Sequence, residues 1–232
     1  HRVLEGTGMP DPDAALSLDE WMAALGFSHH DDEAASGWTP LLMAVLTSRP
    51  ELVSELLARG ADVHCAVHSS SQQPIPSQKG WTPLYFASFL LPSPHIIQLL
   101  LEAGANPRQQ DGNAKYSPLD YSACWGFVEN INTLLDWDSS LTNLTGEIGI
   151  PPLMNSPMFG AKAAIENTIA KYPAALQWGL EAPFNFCALL IAGSGDVSTL
   201  RLMLEHGFRH DLVLSWKDIN GLEHGRPWQR TM

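Results

Sequence analysis

The sequence predicts an all-α solenoid of helix-turn-helix repeats, and three observations predict it. A Thr-Pro-Leu-type start recurs at Thr39, Thr82 and Ser117, with weaker copies at Pro151 and Phe186, in steps of 43, 35, 34 and 35 residues. Leu and Ala follow each start at helical spacing, as in Leu41, Ala44, Leu52, Val53 and Leu56. A Gly then closes the unit, most plainly in Gly60-Ala61-Asp62 and Gly104-Ala105-Asn106. A fixed period of this size marks stacked units, none of which buries its apolar face alone.

Residues 1–36 form an N-terminal extension. Within it "SLDEWMAAL" (Ser17 to Leu25) opens with a Ser-x-x-Glu capping box, and the amphipathic helix that follows is suited to closing the open end of a solenoid. "HHDDE" (His29 to Glu33) carries metal-ligand chemistry, but adjacent loop residues seldom converge on one ion. A solvated linker is expected there, with no metal and no cofactor. The repeats occupy 37–211, divided as 37–79, 80–114, 115–148, 149–183 and 184–211, and residues 212–232 form a C-terminal cap or tail.

Each repeat reads as a short helix, a turn, a second helix and a closing Gly. Thr or Ser ahead of the first helix caps its free N–H groups, and the Pro that follows loses no donor at that position. Ala among the Leu lets neighbouring helices approach closely. Copy four has Tyr172 where the closing Gly belongs, and copy five has Phe186-Cys187 in place of Thr-Pro. The long first step falls in "VHCAVHSSSQQPIPSQK" (Val63 to Lys79), whose Ser, Gln and Pro suit an extended loop. It reads either as a binding loop or as a tolerated surface insertion.

Composition excludes several functions. Thirteen Lys and Arg against twenty-five Asp and Glu give a formal charge of −12, with no basic run, which argues against nucleic acid and anionic membrane surfaces. No apolar stretch approaches a bilayer span, so direct membrane insertion is not expected, and no signal peptide is read. Cys65, Cys124 and Cys187 form no CxxC pair, which fits idle thiols in a reducing compartment such as the cytoplasm. The chain begins at His1 rather than Met, so a fragment or a chain trimmed of a leader is expected, the latter pointing to an organelle interior. No nucleophile elbow, phosphate loop or triad spacing is present, and no enzyme is expected.

The Thr-Pro-Leu…Ala…Gly…Val-x-x-Leu-Leu…Gly-Ala-Asp pattern resembles the ankyrin repeat over roughly Gly37 to Asp211. The resemblance implies an ankyrin-type solenoid with a concave face lined by inner helices and with β-hairpin-like fingers between repeats. It also implies a binding groove for a protein. The family's usual His, three residues after the Thr, is replaced by Leu42, Tyr85, Asp120, Met154 and Leu189, so the polar network of that His is expected to be missing.

One column of side chains stands apart from the Leu and Ala face. Repeat one offers Trp38, Leu42 and Leu46; repeat two offers Trp81, Tyr85 and Phe89. Repeat three offers Tyr116, Asp120 and Trp125, and repeat four offers Ile150, Met154, and Met158 or Phe159. Such a strip facing solvent exceeds what a monomer ordinarily exposes, and Trp and Tyr are rich in binding hot spots. It reads either as a docking groove or as side chains completing an atypical core. Trp81→Ala separates the two: a groove residue weakens partner binding and leaves melting unchanged, whereas a core residue lowers melting.

The function expected is a non-catalytic protein-protein interaction scaffold that binds one or more proteins through this apolar concave groove. Two alternatives stand beside it. One is an accessory subunit embedded permanently in a large, organellar assembly; the other is a regulatory domain of a longer enzyme or channel.

Overall fold

The computed structural model describes residues 16–34, 37–68, 79–112, 115–144, 152–154, 162–173 and 197–206. α1 (Leu18–Ala24) follows the Ser17 N-cap, and its capping box forms as expected. The Ser17 hydroxyl accepts from the Glu20 N–H at 3.4 Å, and Glu20 Oε2 accepts from the Ser17 N–H at 2.9 Å. α1 buries Leu18, Trp21 and Met22 in the common core. Arg59 pins it to the first repeat, donating to Asp19 at 2.5 Å and to Glu55 at 2.8 Å.

Three helix pairs follow: α2 (Pro40–Leu46) with α3 (Pro50–Ala58), α4 (Pro83–Phe89) with α5 (Pro94–Glu102), and α6 (Pro118–Trp125) with α7 (Val128–Trp137). Each begins on a proline at its first turn except α7. 3₁₀ turns at Ser139–Asn143 and Pro152–Met154 lead to α8 (Lys162–Lys171), and α9 (Val197–Glu205) is the last described element.

The helices make two layers. α2, α4 and α6 pack side by side as the inner row, which the Pro152–Met154 turn extends. α3, α5, α7 and α8 make the outer row, and each of α2, α4 and α6 packs on its own outer helix. Leu41, Leu84 and Leu119 fill the seam, with Ala44, Ala87 and Ala123 letting the inner helices close in. Burying a leucine of this kind contributes about 1.5–3 kcal/mol. Asn130, fully buried in α7, accepts from the Ser93 N–H at 2.8 Å and donates to the Ala87 and Leu91 carbonyls, both at 3.3 Å. It satisfies the turn of the preceding repeat.

Gly60 and Gly104 end their outer helices at φ +92° and +94°, a conformation costly for residues with a Cβ. The N–H of the following Ala then reaches back to Leu56 and Leu100 at 3.0 and 2.9 Å. In copy four Tyr172 replaces that Gly and instead donates its hydroxyl to Asn132 Oδ1 of α7 at 3.3 Å.

The described residues contain no strand, yet the fingers close like hairpins at their bases. The Val67 N–H donates to the Trp81 carbonyl at 3.0 Å, and the Gly80 N–H returns to the Val67 carbonyl at 2.8 Å. In the next finger the Asp111 N–H donates to the Tyr116 carbonyl at 2.8 Å. Most of the long first insertion, residues 69–78, lies outside the described residues. So do the start of copy five and the 212–232 segment.

Candidate functional site

Trp38 and Trp81 each stand one residue before a helix N-cap, where the backbone is still extended. Their side chains therefore leave the helical face, and each indole crosses to the following repeat. Trp38 meets Phe86 at 5.2 Å between ring centres, and Trp81 meets Tyr121, also at 5.2 Å. Phe86 and Tyr121 hold the same place, four residues past their caps, so one contact recurs from repeat to repeat. Trp81 also meets Phe86 at 5.3 Å and Phe89 at 5.0 Å edge to face, and it stacks on Tyr85 at 6.1 Å. Tyr116 adds an edge contact to Tyr121 at 5.8 Å. Edge-to-face pairs of this kind each add about 0.5–1.5 kcal/mol to the area they bury.

The result corrects the expectation of a solvent-facing column. Trp38, Leu42, Leu46, Trp81 and Tyr85 are all buried; Trp81 is 3% exposed. Phe89 and Tyr116 are half-buried against the same core. The side chains expected to face a partner cover one another instead, because the ring of one repeat lies on a ring of the next. The Trp38 and Trp81 indole N–H groups are buried without a hydrogen-bond partner. Ile150, Met158 and Phe159 lie outside the described residues, and Met154 ends the 3₁₀ turn after α7.

The polar network thought missing is present in another form. Tyr85, in the place of the family's His, shares its hydroxyl hydrogen between the Gln109 carbonyl at 2.8 Å and the Tyr116 carbonyl at 3.1 Å. It thereby ties α4 to the next finger. One copy further on, Asp120 accepts from the N–H and hydroxyl of Ser117 at 2.7 and 2.5 Å, closing a capping box. Asp111 accepts from the Tyr121 hydroxyl at 2.6 Å and the Tyr116 N–H at 3.2 Å. Burial pushes the Tyr85 and Tyr121 phenols far above the ordinary tyrosine range, and the bond to Asp111 adds to the shift at Tyr121. Neither exchanges a proton near neutral pH.

Trp125 differs from the rest of the column. It ends α6, contacts Phe89 at 5.6 Å edge to face, and is 57% exposed. The aromatic layer thus runs from Trp38 through Phe86, Trp81 and Phe89 to one open indole. Elsewhere Leu91, in the turn after α4, and Trp137, at the end of α7, are also exposed.

The thiols are placed by packing. Cys65 sits 3.2 Å from the Thr39 hydroxyl, and burial pushes it up to about 12, with the Thr39 contact opposing in part. Burial also raises Cys124. Neither is a ready nucleophile. No described helix is long and apolar enough to cross a membrane. Residues 36–68 and 79–112 match the model of the ankyrin repeat family, covering the first two helix pairs and their finger bases.

Proposed function

We propose that this ankyrin-repeat chain is a non-catalytic protein-binding module whose partner seats on the open end of the aromatic layer, at Trp125 with Phe89 beside it. Ankyrin repeats are generally protein-protein interaction modules and typically lack catalytic chemistry. The observation that carries the proposal is Trp125, which leaves more than half its surface open while packed on the half-buried ring of Phe89. An exposed aromatic on a rigid base is ordered before binding and loses little freedom when covered. Trp38, Leu42, Leu46, Trp81, Tyr85 and Tyr116 then act as the layer that holds this edge. Ile150, Met154, Met158 and Phe159 are proposed to contact the same partner. A pull-down from the native source, compared between the full chain and Trp125→Ala, tests the idea. Loss of the bound protein with an unchanged melting curve is expected, and undiminished recovery overturns it.

A second reading, an accessory subunit held permanently in a larger assembly, is favoured by Trp137 and Leu91, 51% and 53% exposed. Sedimentation of the isolated chain separates the two. A monodisperse monomer favours the module, and self-association relieved by Trp137→Ser favours the subunit.

A further inference from the structure

The "HHDDE" segment resolves into three different jobs. Asp32 holds the turn, accepting from the Ser28 and His29 N–H groups at 2.5 and 2.8 Å. Glu33 reaches away to His68 at the base of the first finger, 3.2 Å from its Nδ1. That leaves His29, His30 and Asp31, with one ligand atom from each within 4.8 Å of the others. Asp31 Oδ2 stands 3.3 Å from His30 Nε2 and 3.8 Å from His29 Nδ1. The two rings lie 4.1 Å apart, tilted by 37°. The Asp31 N–H donates to His29 Nδ1 at 3.4 Å, a long bond that ligation through that nitrogen would replace.

We propose that this turn is a transition-metal site that takes zinc through His29 Nδ1, His30 Nε2 and Asp31 Oδ2. Donors at about 2.0–2.1 Å from a tetrahedral zinc stand about 3.4 Å from one another, so the separations to Asp31 need only small side-chain movement. Two neutral imidazoles and one carboxylate are a donor set zinc accepts, and they leave the fourth position to water or a partner's side chain. The backbone bonds of Asp32 hold the turn in place before an ion arrives. The site lies in the linker between α1 and the first repeat. It stands apart from the docking proposal: either holds if the other fails.

Zinc added to the full-length, metal-free chain tests the site by calorimetry. One equivalent is expected in a step that His29→Ala/His30→Ala weakens by at least about tenfold. Far-UV circular dichroism of the metal-free forms should be unchanged, and His95→Ala, remote in sequence, should bind as the unaltered chain does. Should the double variant fold poorly, Asp31→Asn keeps the side chain's size and removes the charge. Cobalt(II) in place of zinc gives a second readout, since four-coordinate N/O ligation produces visible absorption that Asp31→Asn should abolish. Absence of zinc uptake by the full chain, or equal affinity in the ligand variants, overturns the proposal.

Discussion

Replacing Trp81 by Ala puts the buried aromatic layer to a quantitative test. The side chain is 3% exposed and touches the rings of Tyr85, Phe86, Phe89 and Tyr121. Truncating a core aromatic to Ala ordinarily costs about 3–5 kcal/mol. One effect opposes it: the Trp81 N–H is buried without a partner, and removing such a donor recovers about 1–3 kcal/mol. At the midpoints of the two ranges the loss of packing outweighs that recovery by about 2 kcal/mol. For a chain of this length that corresponds to a fall in Tm of about 4–8 °C. Trp125→Ala, with more than half the side chain already in solvent, should cost under about 1.5 kcal/mol. Thermal melts followed by circular dichroism compare the two variants with the unaltered chain. A Trp81→Ala melt indistinguishable from the unaltered chain would refute the layer as a packing element.

Further expectations follow from individual bonds. Tyr85→Phe removes one hydroxyl, strands the Gln109 carbonyl and takes from the Tyr116 carbonyl one donor while the Asp111 N–H stays on it, so a loss of about 1–3 kcal/mol is expected in urea unfolding, with the m-value unchanged. The Arg59 hydrogen bond lowers the Asp19 carboxyl below its ordinary value, with desolvation opposing it and the Arg59 charge adding to it. A depressed folded-state pKa supports the fold above the unfolded-state pKa, and that support disappears as pH falls through the folded-state value. NMR titration should place the Asp19 midpoint below that of a free aspartate, and Arg59→Ala should move it up. With its pKa near 12, Cys65 is thiolate in only about one molecule in ten thousand at pH 8, so iodoacetamide should label it far more slowly in the native chain than in urea.

The starts of α2, α4 and α6 were legible because a proline opens each helix, with a side-chain cap at Thr39 and Ser117; Thr82 holds the same extended N-cap backbone without a side-chain bond. The orientation of the Trp residues was not. Trp38 and Trp81 precede the helix, so helical periodicity says nothing of where their rings go. What covers them, Phe86 and Tyr121, belongs to the next repeat and is specified by stacking rather than by local sequence. Tyr85 stands where the family has His, and a phenol is apolar along its ring and polar at its tip, so the tip can still reach the finger carbonyls. Asn130 did leave a signal, a polar residue beside Ile131 and Leu134 on an apolar face, and it proves to cap the preceding turn. Adjacency in "HHDDE" does not show which side chains converge; with the turn bonded to Asp32, ligand atoms of His29, His30 and Asp31 lie within 4.8 Å of one another.

The affinity of the native partner for Trp125→Ala, beside Trp137→Ala and the unaltered chain, tests the proposed docking surface most directly. A hot-spot anchor predicts a loss of at least about 2 kcal/mol, or roughly thirtyfold, for Trp125→Ala alone, with melting unchanged. Equal affinity for all three proteins would contradict the placement of the partner at the open end of the aromatic layer.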